Sequence, residues 1–305
     1  MRPQHVLAAL ACFFTCGAAL AAAQNDSDIA SLCHRQNGAG EATIVETRLA
    51  SVPALLRIPP RIAQPPILLW HGFGPPASER ALMAALPLDD VPAIKIYLGL
   101  PQFGAREGPD GRADMLRHQA EDLGRLVFEP VVMGAARELP SVIAALQELQ
   151  CVRAQDKVRV FGFSAGGAAA LFALAERKAP IGAAVIVNAS TGLSASVQAY
   201  EHATHKQYTW TDYTRELARR TDAVQRAGDI AHDQPALLIL HGTADSMLPA
   251  QNVIALRDAL APYYRAADND QRLRLTLVDD LSHGWADSAH ARDLRRAIAD
   301  WFNHS

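Results

Sequence analysis

"GFSAGG", residues 162–167, is the stretch on which the reading of this chain turns. Ahead of it, Lys157–Phe163 (KVRVFGF) has the apolar, β-branched character of a buried strand. Behind it, Ala168–Glu176 (AAALFALAE) is built from strong helix formers. A serine between strand and helix, with glycine two residues before and two after, marks a turn too tight for side chains on its flanks. Such a serine is either a nucleophile projected from the turn or the N-cap of the helix. The rest of the chain has to decide between them.

Working outward, Pro66–His71, Ala93–Leu98, Ala183–Asn188, Ala236–His241 and Leu273–Val278 repeat the buried-strand pattern. Val131–Leu149, Val253–Leu260 and Ala289–Phe302 carry apolar residues three or four apart, as helices do. Ala42–Ala50 and Ala54–Ile58 read as an antiparallel entry hairpin. Strands alternating with helices predict an α/β fold, a mostly parallel central sheet with helices on both faces. Two intervals exceed an ordinary connection. One is Gly99–Pro130, with the turn-rich GPDG at Gly108–Gly111. The other, residues 189–234, reads as a small cap insertion containing Tyr200, Tyr208, Trp210 and Tyr213. Both follow strand C-termini, where open parallel sheets build their ligand crevices. The aromatic residues either line an acyl pocket or form the core of the cap.

Residues 1–23 hold one early arginine, an apolar run from Val6 to Leu20 and a small-residue end at Ala21–Ala23. This is the pattern of a signal peptide cleaved near Ala23. It predicts a secreted or periplasmic protein with no stable membrane insertion once the signal is gone. Residues 24–41 read as a polar N-terminal arm. The chain holds 29 Lys and Arg against 32 Asp and Glu, and loss of Arg2 with the signal takes the net charge from −3 to −4. That mild balance leaves no electrostatic footprint for nucleic acid. Cys12 and Cys16 leave with the signal, so Cys33 and Cys151 remain, and in an exported chain they predict a disulfide.

A serine hydroxyl needs a base, and the base an orienting acid. His283, in LSHGW, lies between the last strand and the last helix. Asp245, in HGTADSMLP, follows the Ala236–His241 strand. The preceding strand ends in Asn188-Ala-Ser190 and offers no acid, which favours Asp245; Asp279 and Asp280 are its rivals. His71 and His241 precede glycines at strand ends and are expected to bond loop backbone. A tetrahedral intermediate also needs two N–H donors. Ala165 supplies one, and Phe73, in the loop His71–Gly74, supplies the other. His202 and His205 have a metal-like spacing but no third ligand nearby. Arg106 is assigned neither to a cleft nor to the surface.

These motifs, in this order, resemble the α/β-hydrolase superfamily over residues 42–303. The HGTAD…P and HGW segments look most like the prolyl oligopeptidase and dienelactone hydrolase branch. The resemblance implies Ser164, Asp245 and His283 as a triad, Phe73 and Ala165 as oxyanion donors, and neither a metal nor an organic cofactor. The chain departs from the branch in lacking a large N-terminal propeller and in having serine where dienelactone hydrolases have cysteine. The leading expectation is a carboxylesterase acting on a small-molecule ester through an acyl-enzyme. A peptidase or amidase acting on a short peptide is the alternative, and would need an acidic anchor such as Glu107, Asp114 or Glu201. A non-catalytic ligand-binding protein on the same scaffold is the third.

Overall fold

The structure is a computed structural model and describes residues 26–34 and 40–305. The expected signal peptide lies outside the described residues. The arm is partly helical: residues 26–33 form α1, whose Ile29 is fully buried in the main core. Cys33 is bonded to Cys151, 118 residues further on, as expected.

Strands β1 (Thr43–Leu49) and β2 (Val52–Ile58) make the antiparallel hairpin, Leu49 opposite Val52. Then follow β3 (Ile67–Trp70), β4 (Lys95–Leu98), β5 (Val158–Phe163), β6 (Ile181–Val187), β7 (Ala236–Gly242) and β8 (Leu273–Val278). They form one eight-stranded sheet in the order β1-β2-β4-β3-β5-β6-β7-β8, parallel from β4 to β8. Every residue of β3 and β5 is buried, which explains their unbroken apolar runs. Edge strand β8 instead alternates between half-buried and exposed positions over its first four residues.

Two apolar layers sandwich the sheet. On one face lie α4 (Gly134–Glu148), α5 (Ala165–Glu176), α8 (Ala227–Ala231) and α9 (Ala250–Ala266). On the other, α2 (Glu79–Ala85) and α10 (Ala291–His304) cover Leu69, Phe161 and Val185. Helix α5 is buried along nearly its whole length, so its alanines and glycines let it sit close to the sheet. Between β4 and β5 the chain forms α3 (Arg112–Asp122) and then a π-helix (Leu123–Met133) that runs into α4.

The chain passes from β4 over β3 to reach β5, so the strand order reverses beside β3. Loops at the C-terminal ends of β3 and β5 therefore meet in a crevice.

Candidate active site

Ser164 sits between β5 and α5 with φ 53° and ψ −115°, a conformation that L-residues seldom adopt. Its side chain makes no helix-cap hydrogen bond, so the N-cap reading of the serine fails. The flanking glycines are there because neighbouring backbone occupies the space of a side chain. A Cβ on Gly166 would lie 2.5 Å from the carbonyl oxygens of Trp70 and His71, and one on Gly162 would strike the Gly166 carbonyl.

The hydroxyl of Ser164 lies 3.0 Å from Nε2 of His283, and Nδ1 of His283 lies 2.8 Å from Oδ2 of Asp245. Asp245 only accepts when ionised, so Nδ1 carries the proton and Nε2 is left to accept from Ser164. The other carboxylate oxygen accepts the amides of Met247 and Leu248, each at 2.9 Å. The Asp245 side chain has no exposed surface, whereas that of His283 keeps 13%. The acid is thus fixed and desolvated, and the imidazole is the member of the pair that keeps some exposure. The rivals Asp279 and Asp280 have no such bond to the histidine.

The loop after β3 lies against the elbow, since a Cβ on Gly72 would be 3.0 Å from that of Ser164. Within it, Gly72 N–H bonds the Pro76 carbonyl at 3.4 Å, and among the described residues the Phe73 amide makes no hydrogen bond. The Ala165 amide opens α5 and has no partner inside the helix, and the helix N-terminus adds partial positive charge there. The Phe73 ring stacks on Phe103 of the loop after β4, centroids 5.1 Å apart.

His71 and His241 serve the backbone. His71 donates from Nδ1 to the Gly72 carbonyl at 2.8 Å and accepts the Leu100 amide at Nε2. Burial lowers its pKa to about 4, so it is neutral and ties two crevice loops together. His241 donates from Nε2 to the Leu248 carbonyl at 2.7 Å and closes the loop that holds Asp245; burial depresses its pKa as well. Arg106 is engaged by Glu138 and by the Gly99 carbonyl, which pins the loop after β4 to α4.

The insertion after β6 carries α6 (Leu193–Thr204), α7 (Asp212–Thr221) and α8. Helices α6 and α7 pack on the π-helix, and α8 on α5 and α9. Its aromatic residues fasten it. Tyr208 donates to Asp122 at 2.6 Å and stands edge-on to Trp210, while Tyr213 bonds Glu129. Tyr200, Tyr208 and Trp210 lie against the main core rather than forming a separate one. Among the described residues no cluster of His, Cys, Asp or Glu is arranged to hold a metal, and no helix is long and apolar enough to cross a membrane.

Residues 135–305 match the profile of the prolyl oligopeptidase family, which covers over half of the chain. Among solved structures, the Thermus thermophilus protein TT1662 superposes with a TM-score of 0.64 at 20% identity, over 86% of this chain and 99% of that one. Acylaminoacyl peptidase of Pyrococcus horikoshii gives 0.60 at 15% identity, over 87% of this chain and 41% of that one. Monoacylglycerol lipase of Paleococcus ferrophilus gives 0.52 at 15% identity, over 87% of this chain and 100% of that one. At these identities the likeness is one of fold. No curated protein matches the chain.

Proposed function

Because this chain belongs to the prolyl oligopeptidase family, and so is a serine hydrolase, we propose that it cleaves carboxylic esters through an acyl-enzyme on Ser164. The observation that carries this reading is the unbroken line of hydrogen bonds from Ser164 through His283 to Asp245.

In the proposed cycle, His283 Nε2 takes the Ser164 proton as the hydroxyl oxygen attacks the ester carbonyl. The negative oxygen that forms is held by the N–H groups of Ala165 and Phe73. Collapse of this intermediate expels the alkoxide, which leaves as the alcohol with the proton from Nε2. Water then gives a proton to Nε2 as it attacks the acyl carbonyl, and when the bond to Ser164 breaks Nε2 returns that proton to the serine oxygen, which frees the acid. Asp245 holds the imidazole in one tautomer and stabilises it while it is charged.

Two observations support ester over peptide. Asp114, a candidate anchor for a peptide amine, accepts the Asp110 amide at 2.9 Å and pairs with Arg117. Glu201, another, accepts the Tyr208 amide at 2.8 Å. Both carboxylates serve local structure. Peptide or amide hydrolysis is the alternative that the family itself favours. We further propose that the insertion covers the crevice and sets the size of the acyl group, because it leaves the sheet at the C-terminal end of β6. Export is proposed from the sequence of residues 1–23 and from the Cys33–Cys151 bridge, which suits an oxidising compartment.

A panel of p-nitrophenyl esters and aminoacyl-anilides tests the reading. Turnover of short and medium esters with little anilide cleavage is expected; a preference for the anilides would overturn the ester assignment and keep the triad.

A further inference from the structure

Asn188 follows the last residue of β6, at the strand end that offers no acid. It is fully buried and holds φ 44°, in the left-handed region that asparagine tolerates better than most residues. Its backbone N–H continues the ladder to β7, donating to the Leu240 carbonyl at 3.0 Å. The side-chain amide reaches across to two other segments. Oδ1 accepts the Gly242 amide at 2.9 Å, and Nδ2 donates to the carbonyls of Ser282 and His283 at 3.0 and 2.8 Å. An N–H on one side and two carbonyls on the other fix which end of the amide is oxygen.

Gly242 opens the loop that carries Asp245, and the two carbonyls belong to the loop that carries His283. Backbone bonds already join these loops: Thr243 to Val278 at 3.0 Å and Ala244 to Leu281 at 3.1 Å. The loops touch so closely that a Cβ on Gly242 would strike the Leu281 carbonyl. That lacing ends at Leu281. Beyond it, among the described residues, the carbonyls of Ser282 and His283 accept only from Asn188.

We infer that Asn188 is a positioning residue, a clamp that sets the height of His283 relative to both Asp245 and Ser164. The inference rests on the triad reading above. His283 makes a bond on each side of its ring, at 2.8 and 3.0 Å, so a shift of its main chain lengthens one or both. A misplacement of about 1 Å at such a site costs on the order of 100-fold in rate. Both N–H donors of its amide are in use and the residue is fully buried, so Asn188 has no donor to offer a substrate.

Two substitutions separate the clamp from the backbone turn. Asn188→Gly keeps the left-handed conformation easy and deletes the amide. Asn188→Asp also tolerates that conformation, but sets a carboxylate oxygen against two carbonyls. Full-length protein would be assayed with p-nitrophenyl acetate and with a fluorophosphonate, beside Ser164→Ala, and rates taken per folded molecule from circular dichroism. The clamp predicts that kcat and the labelling rate of Ser164 both fall about 10- to 100-fold in the two variants, while KM stays within about threefold. A folded Asn188→Gly protein with native kcat and labelling rate overturns the inference. So does a lowered melting temperature with kcat per folded molecule unchanged, which would make the contact structural. Failure of both variants to fold counts against it too, because a residue that only positions the triad is not needed for folding. Activity retained by Ser164→Ala would instead sink the triad reading, and that arm is independent of Asn188.

Discussion

At the C-terminal ends of β5, β7 and β8 three polar side chains bond one another in a line: serine to histidine, histidine to aspartate. At the N-terminal ends of β4 and β5 the buried cations bond chiefly the main chain. Lys95 and Arg159 both lie opposite Ile67 of β3, on the face covered by α2 and α10. Lys95 donates to the Val91 carbonyl at 3.1 Å, and Arg159 to the carbonyls of Pro65 and Phe302 and to Gln64. Desolvation lowers Lys95 to about 8 and Arg159 to about 10. Burial and displaced proton affinity are therefore not what distinguish the end that holds Ser164. Its mark is a chain of side-chain bonds that runs from a buried carboxylate to the Ser164 hydroxyl, beside the amides of Phe73 and Ala165, which make no hydrogen bond among the described residues. The other end closes on itself.

The sharpest break of that comparison is at Ser164. Ser164→Ala is expected to lower kcat by about 10⁴- to 10⁶-fold with the fold intact, since alanine removes one oxygen and adds no bulk. His283→Ala should cost a similar factor, and the double variant little more, because the triad acts as one unit. Additive losses in the double variant would show that the bonded line is not a working unit. A fluorophosphonate should label Ser164 and leave Ser190 and Ser194 unmodified.

The next effect falls at the far end and should leave catalysis alone. The Cys33–Cys151 bridge spans 118 residues, and in the chain-entropy model it stabilises the fold by about 5 kcal/mol. It joins α1 to the segment that leads into β5 from the side opposite the elbow. Replacing both cysteines by serine should lower the midpoint of urea unfolding strongly while kcat on a small ester stays native. A parallel fall in kcat at temperatures where the variant is folded would mean that the two ends are coupled.

Lys95 gives a smaller effect with a definite pH dependence. Its pKa is about 8 when folded against a reference of 10.5, so between these values the unfolded chain binds a proton that the folded one does not. Stability from this group therefore rises with pH across that window, and below it the penalty is complete, about 3 kcal/mol. Lys95→Met should stabilise the protein at pH 7 by about 2 kcal/mol, after loss of the bond to Val91. The gain should vanish as pH approaches 10.5. Urea titrations at two pH values would check it, and an equal gain at both would refute the buried-cation account.

The same contrast explains what the sequence discloses. The parallel strands are legible because burial on both faces leaves long apolar runs, and the triad because each member sits at a strand end in a glycine-marked turn. The cysteine pair is legible because only Cys33 and Cys151 lie outside residues 1–23. Less legible are features that depend on what lies across space. Pro130 signals a helix stop, yet it lies inside the π-helix, where Gly134 N–H reaches back to Glu129. Residues 26–33 look polar, and only the docking of Ile29 into the core and the bridge at Cys33 make a helix there intelligible. Asn188 reads as the lack of an acid, because its role is visible only when the loops of Asp245 and His283 are seen on either side of it.

The smallest predicted effect concerns a third kind of polar contact, a bond that fastens the insertion. Asp122 is the last residue of α3 and, in extended conformation, the N-cap of the π-helix, and its Oδ1 accepts both the Arg125 amide at 3.0 Å and the Tyr208 hydroxyl at 2.6 Å. Burial, with that carboxylate bond behind it, raises Tyr208 to about 12, so the hydroxyl stays a donor at any assay pH. Tyr208→Phe keeps the ring edge-on to Trp210 and removes this one bond. Because Asp122 retains its amide partner, the loss should be about 1 kcal/mol, or a few degrees in melting temperature. The more telling readout is selectivity. If the insertion sets acyl size, loosening it should alter the ratio of kcat/KM between long-chain and acetyl esters while the acetyl value itself holds. A uniform decline on every ester would place Tyr208 with Lys95 and Arg159, among the groups whose bonds build the scaffold and go no further.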